Sequence, residues 1–168
     1  MKQFILSLFA FMLFVPQGMN AQGHASTQGL NVECLGVEHD GSQTLRTTGS
    51  GRNKTDALEQ AKKNAVMAVI FTGVRGGKAG CDMRPLIYEP NAREKYARYF
   101  DIFFMNNGEY LQYTSMIDKR RGSNQKKTSK LEKTIRVTVR VMRHQLQQRL
   151  MNDGIIPSET LYDVNYTN

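Results

Sequence analysis

The stretch "TTGSGRNKTDALEQAKKNAV" at residues 47–66 decides the fold, because a polar strand passes there into a helix of small residues. Asn53 is suited to cap this helix, and Asp56 adds a carboxylate to its positive first turn. Small side chains let a helix lie close to a sheet, and we expect this helix to end near Phe71, before Gly73. Its apolar stripe repeats at helical spacing and consists of Ala57, Leu58, Ala61, Ala65, Ala68 and Val69.

The segment Gly-Ser-Gly-Arg at 49–52 could instead be a phosphate-binding loop. A dinucleotide fingerprint would need a third glycine where Lys54 stands, and the chain has no Walker motif at this point. The strand before it is polar, whereas nucleotide-binding folds use an apolar parallel strand. We therefore predict no cofactor here. Gly49 and Gly51 are predicted to let the chain turn sharply, so that Asn53 can cap the helix.

The N-terminus has the layout of a secretory signal peptide over residues 1–21. Lys2 precedes an apolar run from Phe4 to Val15, and Ala21 offers a small residue for cleavage. The run is short for a membrane span, although an uncleaved anchor is the alternative. Residues 22–29 are small and polar, which predicts a flexible leader. We expect a mature protein without a transmembrane segment, located in the periplasm, at the outer membrane or outside the cell.

Charge and cysteine content limit the classes of partner and compartment. The 168-residue chain has a net charge of +8, and loss of Lys2 with the signal peptide would lower it to +7. This charge favours anionic partners such as polysaccharide, phospholipid headgroups or nucleic acid, or serves solubility alone. The two cysteines, Cys34 and Cys81, are either a disulfide formed in an oxidising compartment or two buried thiols.

A hairpin precedes the decisive helix, and a long loop follows it. "LNVECLGVEH" at 30–39 and "SQTLRTTGSG" at 42–51 predict two strands, joined by the hairpin signal Asp40-Gly41. Residues 73–90 are rich in glycine and predict an irregular loop. A loop of this length is usually functional or pinned in place, and Cys81 lies within it.

The second half of the chain predicts two more helices and two more strands. Asn91 and Glu94 form a capping-box-like pair at the start of a helix that Gly108 ends. "EYLQYTSMID" at 109–118 predicts a third strand and "LEKTIRVTVRVM" at 131–142 a fourth, with one buried and one wet face. The aromatic face of the second helix, expected in the core, consists of Tyr96, Tyr99, Phe100, Phe103 and Phe104. The buried face of the fourth strand consists of Leu131, Ile135, Val137, Val139 and Val141.

The last helix is predicted at 143–154, with Met142, Leu146 and Leu150 on its inner face and Gly154 as its C-cap. The order of elements predicts one α+β domain over residues 30–154, with a four-stranded, mainly antiparallel sheet and helices packed on one face. Residues 155–168 form a C-terminal tail. Part of this tail is expected to pack through Ile155, Ile156, Leu161 and Tyr162.

The residue patterns predict no enzyme and no metal site. The three histidines, His24, His39 and His144, lie in separate predicted elements without a second ligand at helical spacing. A hydrolase would need acids such as Asp82 and Glu89 in one cleft, together with a base such as His39. No spacing in the sequence places them there, so catalytic residues are not assigned.

A basic turn at 119–130 is the candidate anion-contact site. With Arg136 and Arg140 on the wet strand face and Tyr110 and Tyr113 on the neighbouring strand, it could bind an anionic polymer. The alternative is a solvated hairpin tip, and export argues against a nucleic-acid partner. The candidate residues of the turn are Lys119, Arg120, Arg121, Lys126, Lys127 and Lys130.

The glycine pair, the Ala-rich helix and the late strand "IRVTVRV" running into "RHQLQQRLMNDG" together resemble a known family. They are similar to small envelope domains typified by the N-terminal domain of the flagellar-assembly protein FlgT and related lipoproteins, and to uncharacterised exported proteins of Bacteroides-type bacteria. The resemblance covers about residues 30–154 and implies a periplasmic or outer-membrane-associated assembly role without catalytic residues. A missing lipidation cysteine and the loop at 73–90 depart from the pattern. The matched signature residues are Gly49, Gly51, Ala57, Ala61 and Ala65.

These observations predict an exported, non-catalytic protein that binds other cell-envelope proteins. The loop at 73–90 and the wet face of the sheet are the expected contact surfaces. A binder of anionic polysaccharide or lipid headgroups is the alternative, and a periplasmic hydrolase is a third class.

Overall fold

The computed structural model describes residues 30–77, 80–117, 126–127 and 133–157, and it shows an α+β fold. The predicted signal peptide at 1–21, the leader at 22–29 and the tail residues Leu161 and Tyr162 lie outside the described residues.

The sheet is mixed and mostly antiparallel. Its strands are β1 (Glu33–Val37), β2 (Gln43–Gly51), β3 (Arg75–Gly77), β4 (Thr114–Met116), β5 (Lys126–Lys127) and β6 (Lys133–Val141). Along the path of the sheet the strand order is β3-β1-β2-β6-β4, and the two-residue β5 pairs with β6. The central pair, β2 and β6, is antiparallel in unbroken register from Gln43 opposite Val141 to Gly51 opposite Lys133.

The helix predicted from the opening stretch forms as expected. The backbone nitrogen of Asp56 donates to Asn53 Oδ1 over 2.9 Å, which makes Asn53 the N-cap. The helix continues as a short π-helical segment, Ala68–Thr72, and ends at Gly73, whose φ of 75° a side chain would strain. The four α-helices of the described residues are α1 (Lys54–Met67), α2 (Ala92–Lys95), α3 (Ala97–Phe103) and α4 (Arg143–Asn152).

The core forms between α1 and the central strands. Ala57, Ala61 and Ala65 are fully buried, because the alanine stripe allows α1 to lie close to β2. Gly49 lies inside β2, two positions before Gly51 ends the strand, so Gly49 is not part of the turn into α1. A Cβ atom on either glycine would meet the backbone of α1, so both glycines let the helix approach the strand. On β6 the predicted inward residues that the structure describes are buried: Ile135, Val137, Val139 and Val141. Leu131 lies outside the described residues.

The loop predicted at 73–90 contains a strand that the sequence analysis missed. Residues 75–77 form β3, which pairs in parallel with β1 at the edge of the sheet. The sheet therefore has a fifth strand on its path, and the prediction of four was too few. A three-residue segment with two glycines has no alternation of apolar and polar side chains, so no pattern marks it as a strand.

The strand predicted at 109–118 is mostly a different element. Residues 109–113 form a 3-10 helix, and only Thr114–Met116 pair with β6. Tyr110 within the 3-10 helix is fully buried, and its hydroxyl donates to Glu59 Oε1 of α1 over 2.9 Å. Attachment of this side chain to α1 explains why the segment folds toward the helices and joins the sheet only at its end.

The predicted capping box of the second helix is wrong. Asn91 has a left-handed backbone with φ 59°, and its side chain forms no capping hydrogen bond, because a side-chain cap requires an extended backbone there. The helix is also divided at Tyr96, whose φ of −108° separates α2 from α3. The aromatic face still packs as expected, since Phe100 and Phe103 are buried.

The C-terminal part of the fold closes with a glycine cap. Gly154, at φ 69°, donates from its nitrogen to the carbonyl of Met151, and Ile155 donates to Leu150 over 2.9 Å. These two bonds are the Schellman pattern, which confirms Gly154 as the terminating residue. Ile155 and Ile156 are buried, so the start of the tail packs as predicted. Leu146 and Leu150 are fully buried, whereas Met142 precedes α4 and is half-buried.

Candidate contact surfaces

The first candidate surface is the segment of residues 80–90, which we call the anchored loop. Cys81 forms a disulfide with Cys34 of β1, which joins the loop to the sheet across 47 positions of sequence. Such a bond fits an oxidising compartment outside the cytoplasm. Within the part of the chain that the structure describes, no helix is long and apolar enough to cross a membrane.

Asp82 is the second anchor of the loop. Its carbonyl accepts a hydrogen bond from Gln43 Nε2 over 2.8 Å, and its Oδ2 accepts from Arg143 Nη2 over 3.0 Å. Burial raises the pKa of Asp82, but the Arg84 backbone nitrogen and the Arg143 charge outweigh it and lower that pKa overall. Burial lowers the pKa of Arg143. The carboxylate therefore remains charged and holds a guanidinium that is only 11% exposed.

Backbone hydrogen bonds hold the rest of the anchored loop against the C-terminal end of the first helix. Leu86 and Ile87 donate to the carbonyls of Val69 and Ile70, each over 2.9 Å, and both their side chains are buried. Two large side chains of the loop face solvent instead. Met83, between Asp82 and Leu86, is 55% exposed, and Tyr88, directly after Ile87, is 63% exposed.

A shallow groove of about 430 Å³ on α2 and α3 is the second candidate surface, which we call the α3 groove. The end of the anchored loop reaches it, because Glu89 accepts a hydrogen bond from Lys95 Nζ over 2.7 Å. The hydroxyl of Tyr99 donates to Asp153 Oδ2 over 2.6 Å, and burial raises the pKa of this phenol. The groove is lined by Lys95, Tyr96, Arg98, Tyr99 and Ile102.

The outer face of the sheet, opposite the helices, is the third candidate surface. The register places Thr48 opposite Arg136 and Arg46 opposite Thr138, so arginines and hydroxyls alternate across the two central strands. Arg46 pairs with Glu33 over 3.0 Å on this face. The residues of the face on these two strands are Thr44, Arg46, Thr48, Ser50, Thr134, Arg136, Thr138 and Arg140.

The predicted combination of basic and aromatic side chains on this face is wrong. Tyr110 is fully buried, and Tyr113 packs against Phe103 with ring centroids 6.0 Å apart. Both tyrosines belong to the 3-10 helix and contact the helical layer, not the outer face. Arg140 is held by both carboxylate oxygens of Asp40, each at 2.9 Å.

Anion contact by the basic turn stays a prediction. Lys126 and Lys127 form β5, with their backbones opposite Thr134 and Lys133 of β6. The other four candidates lie outside the described residues: Lys119, Arg120, Arg121 and Lys130.

The residues considered for a hydrolase are not joined by any hydrogen bond or ion pair in the described part of the chain. Asp82 is bound by arginines, and Glu89 is paired with Lys95. His39 lies exposed in the hairpin turn, and His24 is outside the described residues. No group of three or more metal-ligating side chains occurs in the segments that the structure describes.

Sequence reasoning missed two residues that position the anchored loop, Gln43 and Arg143. One signal was present: the alternation of β2 places Gln43 on the same side as Leu45 and Thr47, and all three are buried. An amide on the inward face of a strand requires a buried partner, and the loop carbonyl supplies it. No pattern in the sequence marks Arg143, because its partner is 61 positions away.

Comparison of the chain with protein-family models, with curated proteins and with solved structures finds no match in any of the three.

Proposed function

We propose that this chain is an exported, non-catalytic envelope protein that binds another envelope protein through the anchored loop and the adjoining α3 groove. The observation that carries the proposal is the contrast within the loop. Its backbone is fixed by a disulfide, an ion pair and backbone hydrogen bonds, whereas Met83 and Tyr88 project into solvent.

Anchoring of this kind favours binding because an ordered loop loses little conformational entropy when a partner docks. A loop that served only to connect two elements would not need three separate attachments to the fold. The disulfide at Cys81, the ion pair at Asp82 and the backbone bonds of Leu86 and Ile87 fix the loop on both sides of Met83.

Exposed apolar side chains concentrate in the part of the sequence that forms the loop and the two helices after it. Among the described residues, six large hydrophobic side chains are exposed, and four of them fall between positions 83 and 105. Tyrosine, methionine and arginine are enriched in protein interfaces, and this region has all three, including Arg98 in the groove. The four side chains are Met83, Tyr88, Ile102 and Met105.

Site-specific photocrosslinking in intact cells tests the proposal. A photoreactive phenylalanine at Tyr88 should capture one defined envelope protein, while the same group at Ile117, 45% exposed and following the edge strand β4, should not. With the photoreactive group at Ile102 in the groove, Met83→Ala and Tyr88→Ala should each reduce capture by about tenfold. This is the effect of losing about 1.4 kcal/mol of binding free energy. Equal capture at Tyr88 and Ile117, or no loss in either alanine variant, would rule out the loop as the binding surface.

A further inference from the structure

A polar cleft opens on the outer face of the sheet, away from the anchored loop's exposed side chains. It has a volume of about 130 Å³ and lies where β1, β2 and β6 run side by side. The cleft is lined by Asn31, Glu33, Arg46, Thr48 and Arg136.

Arg136 is the arginine of this face that remains available to a ligand. Arg46 is paired with Glu33 over 3.0 Å, and Arg140 is paired with Asp40 over 2.9 Å. The exposed Arg136 forms no ion pair or hydrogen bond within the described residues. A guanidinium presents a planar set of donors that matches a carboxylate through two parallel hydrogen bonds.

The remaining groups of the cleft are suited to hydroxyls. The side chains of Asn31 and Thr48 have no hydrogen-bond partner in the part of the chain that the structure describes, and Glu33 uses Oε2 for its pair with Arg46. An amide, a hydroxyl and a carboxylate oxygen together offer both donors and acceptors. A ligand with one negative charge and several hydroxyl groups would use all of them.

The charge balance of the outer face argues against a membrane surface or a densely charged polymer as the ligand. Such ligands are bound by an excess of lysine and arginine. Here carboxylates lie beside the arginines, because Glu33 pairs with Arg46 and Asp40 pairs with Arg140. A third carboxylate, Glu38, accepts a hydrogen bond over 3.0 Å from Thr44 of the same face. The balanced groups are three arginines, Arg46, Arg136 and Arg140, and three acids, Glu33, Glu38 and Asp40.

We propose that this cleft binds one uronic acid unit of an extracellular polysaccharide. Arg136 holds the sugar carboxylate, and Asn31, Thr48 and Glu33 pair with ring hydroxyls. The proposal moves the anionic-polymer interpretation from the basic turn and the pair Arg136 and Arg140 to a single available arginine with polar neighbours. It is independent of the protein-binding surface, because no residue of the anchored loop takes part.

Titration calorimetry and amide chemical shifts of the mature chain with trigalacturonate test the proposal. We expect millimolar or tighter binding, with shifts centred on Thr48 and Arg136. Neutral galactotriose and inorganic sulfate should each bind at least about tenfold more weakly, because each satisfies only part of the cleft. Arg136→Gln should weaken trigalacturonate binding about tenfold or more, and Thr48→Val should weaken it less.

Arg98→Gln is the matched control, since Arg98 is an exposed arginine of the α3 groove without a partner in the described residues. It removes the same charge elsewhere and should leave trigalacturonate binding unchanged. Several results would overturn the proposal: no binding, equal binding of galactotriose or sulfate, or equal losses in Arg136→Gln and Arg98→Gln. Stronger Arg136-dependent binding to phosphatidylglycerol vesicles than to trigalacturonate would also overturn it and assign the cleft to lipid.

Discussion

Gly49 of β2 lies against Ala61 of α1 so closely that a Cβ atom on the glycine would stand 2.3 Å from the alanine backbone nitrogen. The same atom would be 2.2 Å from the carbonyl oxygen of Ala57. Both neighbours are backbone atoms, which cannot move aside as a flexible side chain can. Gly49 and the alanine stripe therefore act together: the strand has no side chain at this point and the helix has only methyl groups, so their backbones can approach closely.

Gly49→Ala should therefore destabilise the fold by about 2 kcal/mol or more, because α1 must shift away from β2 to admit the methyl group. The free energy of unfolding in urea measures the effect. Gly36→Ala is the matched control, since Gly36 also lies in a strand and a Cβ there meets nothing within 4 Å. It should be neutral or slightly stabilising, and similar losses in the two variants would contradict the close approach at Gly49.

The parts of the fold that could be predicted from sequence are those whose patterns are local. The alternation along β6 and the alanine stripe of α1 each repeat several times within one element, so the buried face of each is evident. Asn53 as cap and Gly154 as terminator are also local, because each acts on residues within four positions of itself.

The parts that sequence could not give depend on contacts between distant residues. β3 exists as a strand because its backbone pairs with β1, while its own residues are mostly glycine. Tyr110 looked like a residue of a wet strand, yet its hydrogen bond to Glu59, 51 positions away, draws it into the core. The polar cleft shows the same limit, since the availability of Arg136 depends on ion pairs that neutralise Arg46 and Arg140.

Asp40 should titrate at an unusually low pH. The hydroxyl and the backbone nitrogen of Ser42 donate to its carboxylate, and with the Arg140 charge they lower its pKa from 3.8 to about 2. Because the pKa of Asp40 is lower in the folded state, the charged carboxylate stabilises the fold. This stabilisation is fully present above pH 3.8 and is lost as the pH falls through about 2. Carboxyl carbon shifts followed by NMR from pH 5 to pH 1.5 measure the midpoint.

Two variants separate the causes of the Asp40 shift. Ser42→Ala should raise the pKa of Asp40 more than Arg140→Gln does, because the hydroxyl hydrogen bond that it removes is the largest single cause of the lowered pKa, while the backbone nitrogen of residue 42 still donates. A larger rise in Arg140→Gln would mean that the ion pair, and not the turn geometry, sets the charge of Asp40.

The disulfide should stabilise the fold chiefly by closing a long loop. The double variant Cys34→Ser, Cys81→Ser should lose about 4 kcal/mol of unfolding free energy, the value expected for a loop of 47 residues. Urea unfolding of the wild type with and without reductant provides the control, since reduced wild type should match the double variant. If reduction left the unfolding midpoint unchanged, the bond would not constrain the unfolded chain.

The ion pair between Asp82 and Arg143 should help to hold the anchored loop in place. Arg143 is 11% exposed and loses its charged partner in Asp82→Asn, whereas the Gln43 bond to the Asp82 carbonyl survives the change. Because Asp82 is 38% exposed, solvent screens the pair. We therefore expect Asp82→Asn to lower the free energy of unfolding by about 1 kcal/mol, rather than by the roughly 3–5 kcal/mol expected for a fully buried pair.

Hydrogen exchange at Leu86 and Ile87 reports the effect on the loop itself. In Asp82→Asn these amides, which donate to the first helix, should exchange about fivefold faster, since local opening becomes easier by about 1 kcal/mol. Glu89→Gln is the matched control: it neutralises another acid of the loop, but its partner Lys95 is 54% exposed and anchors no backbone. Equal acceleration in both variants would show that loss of any loop carboxylate, and not the Arg143 anchor, loosens the segment.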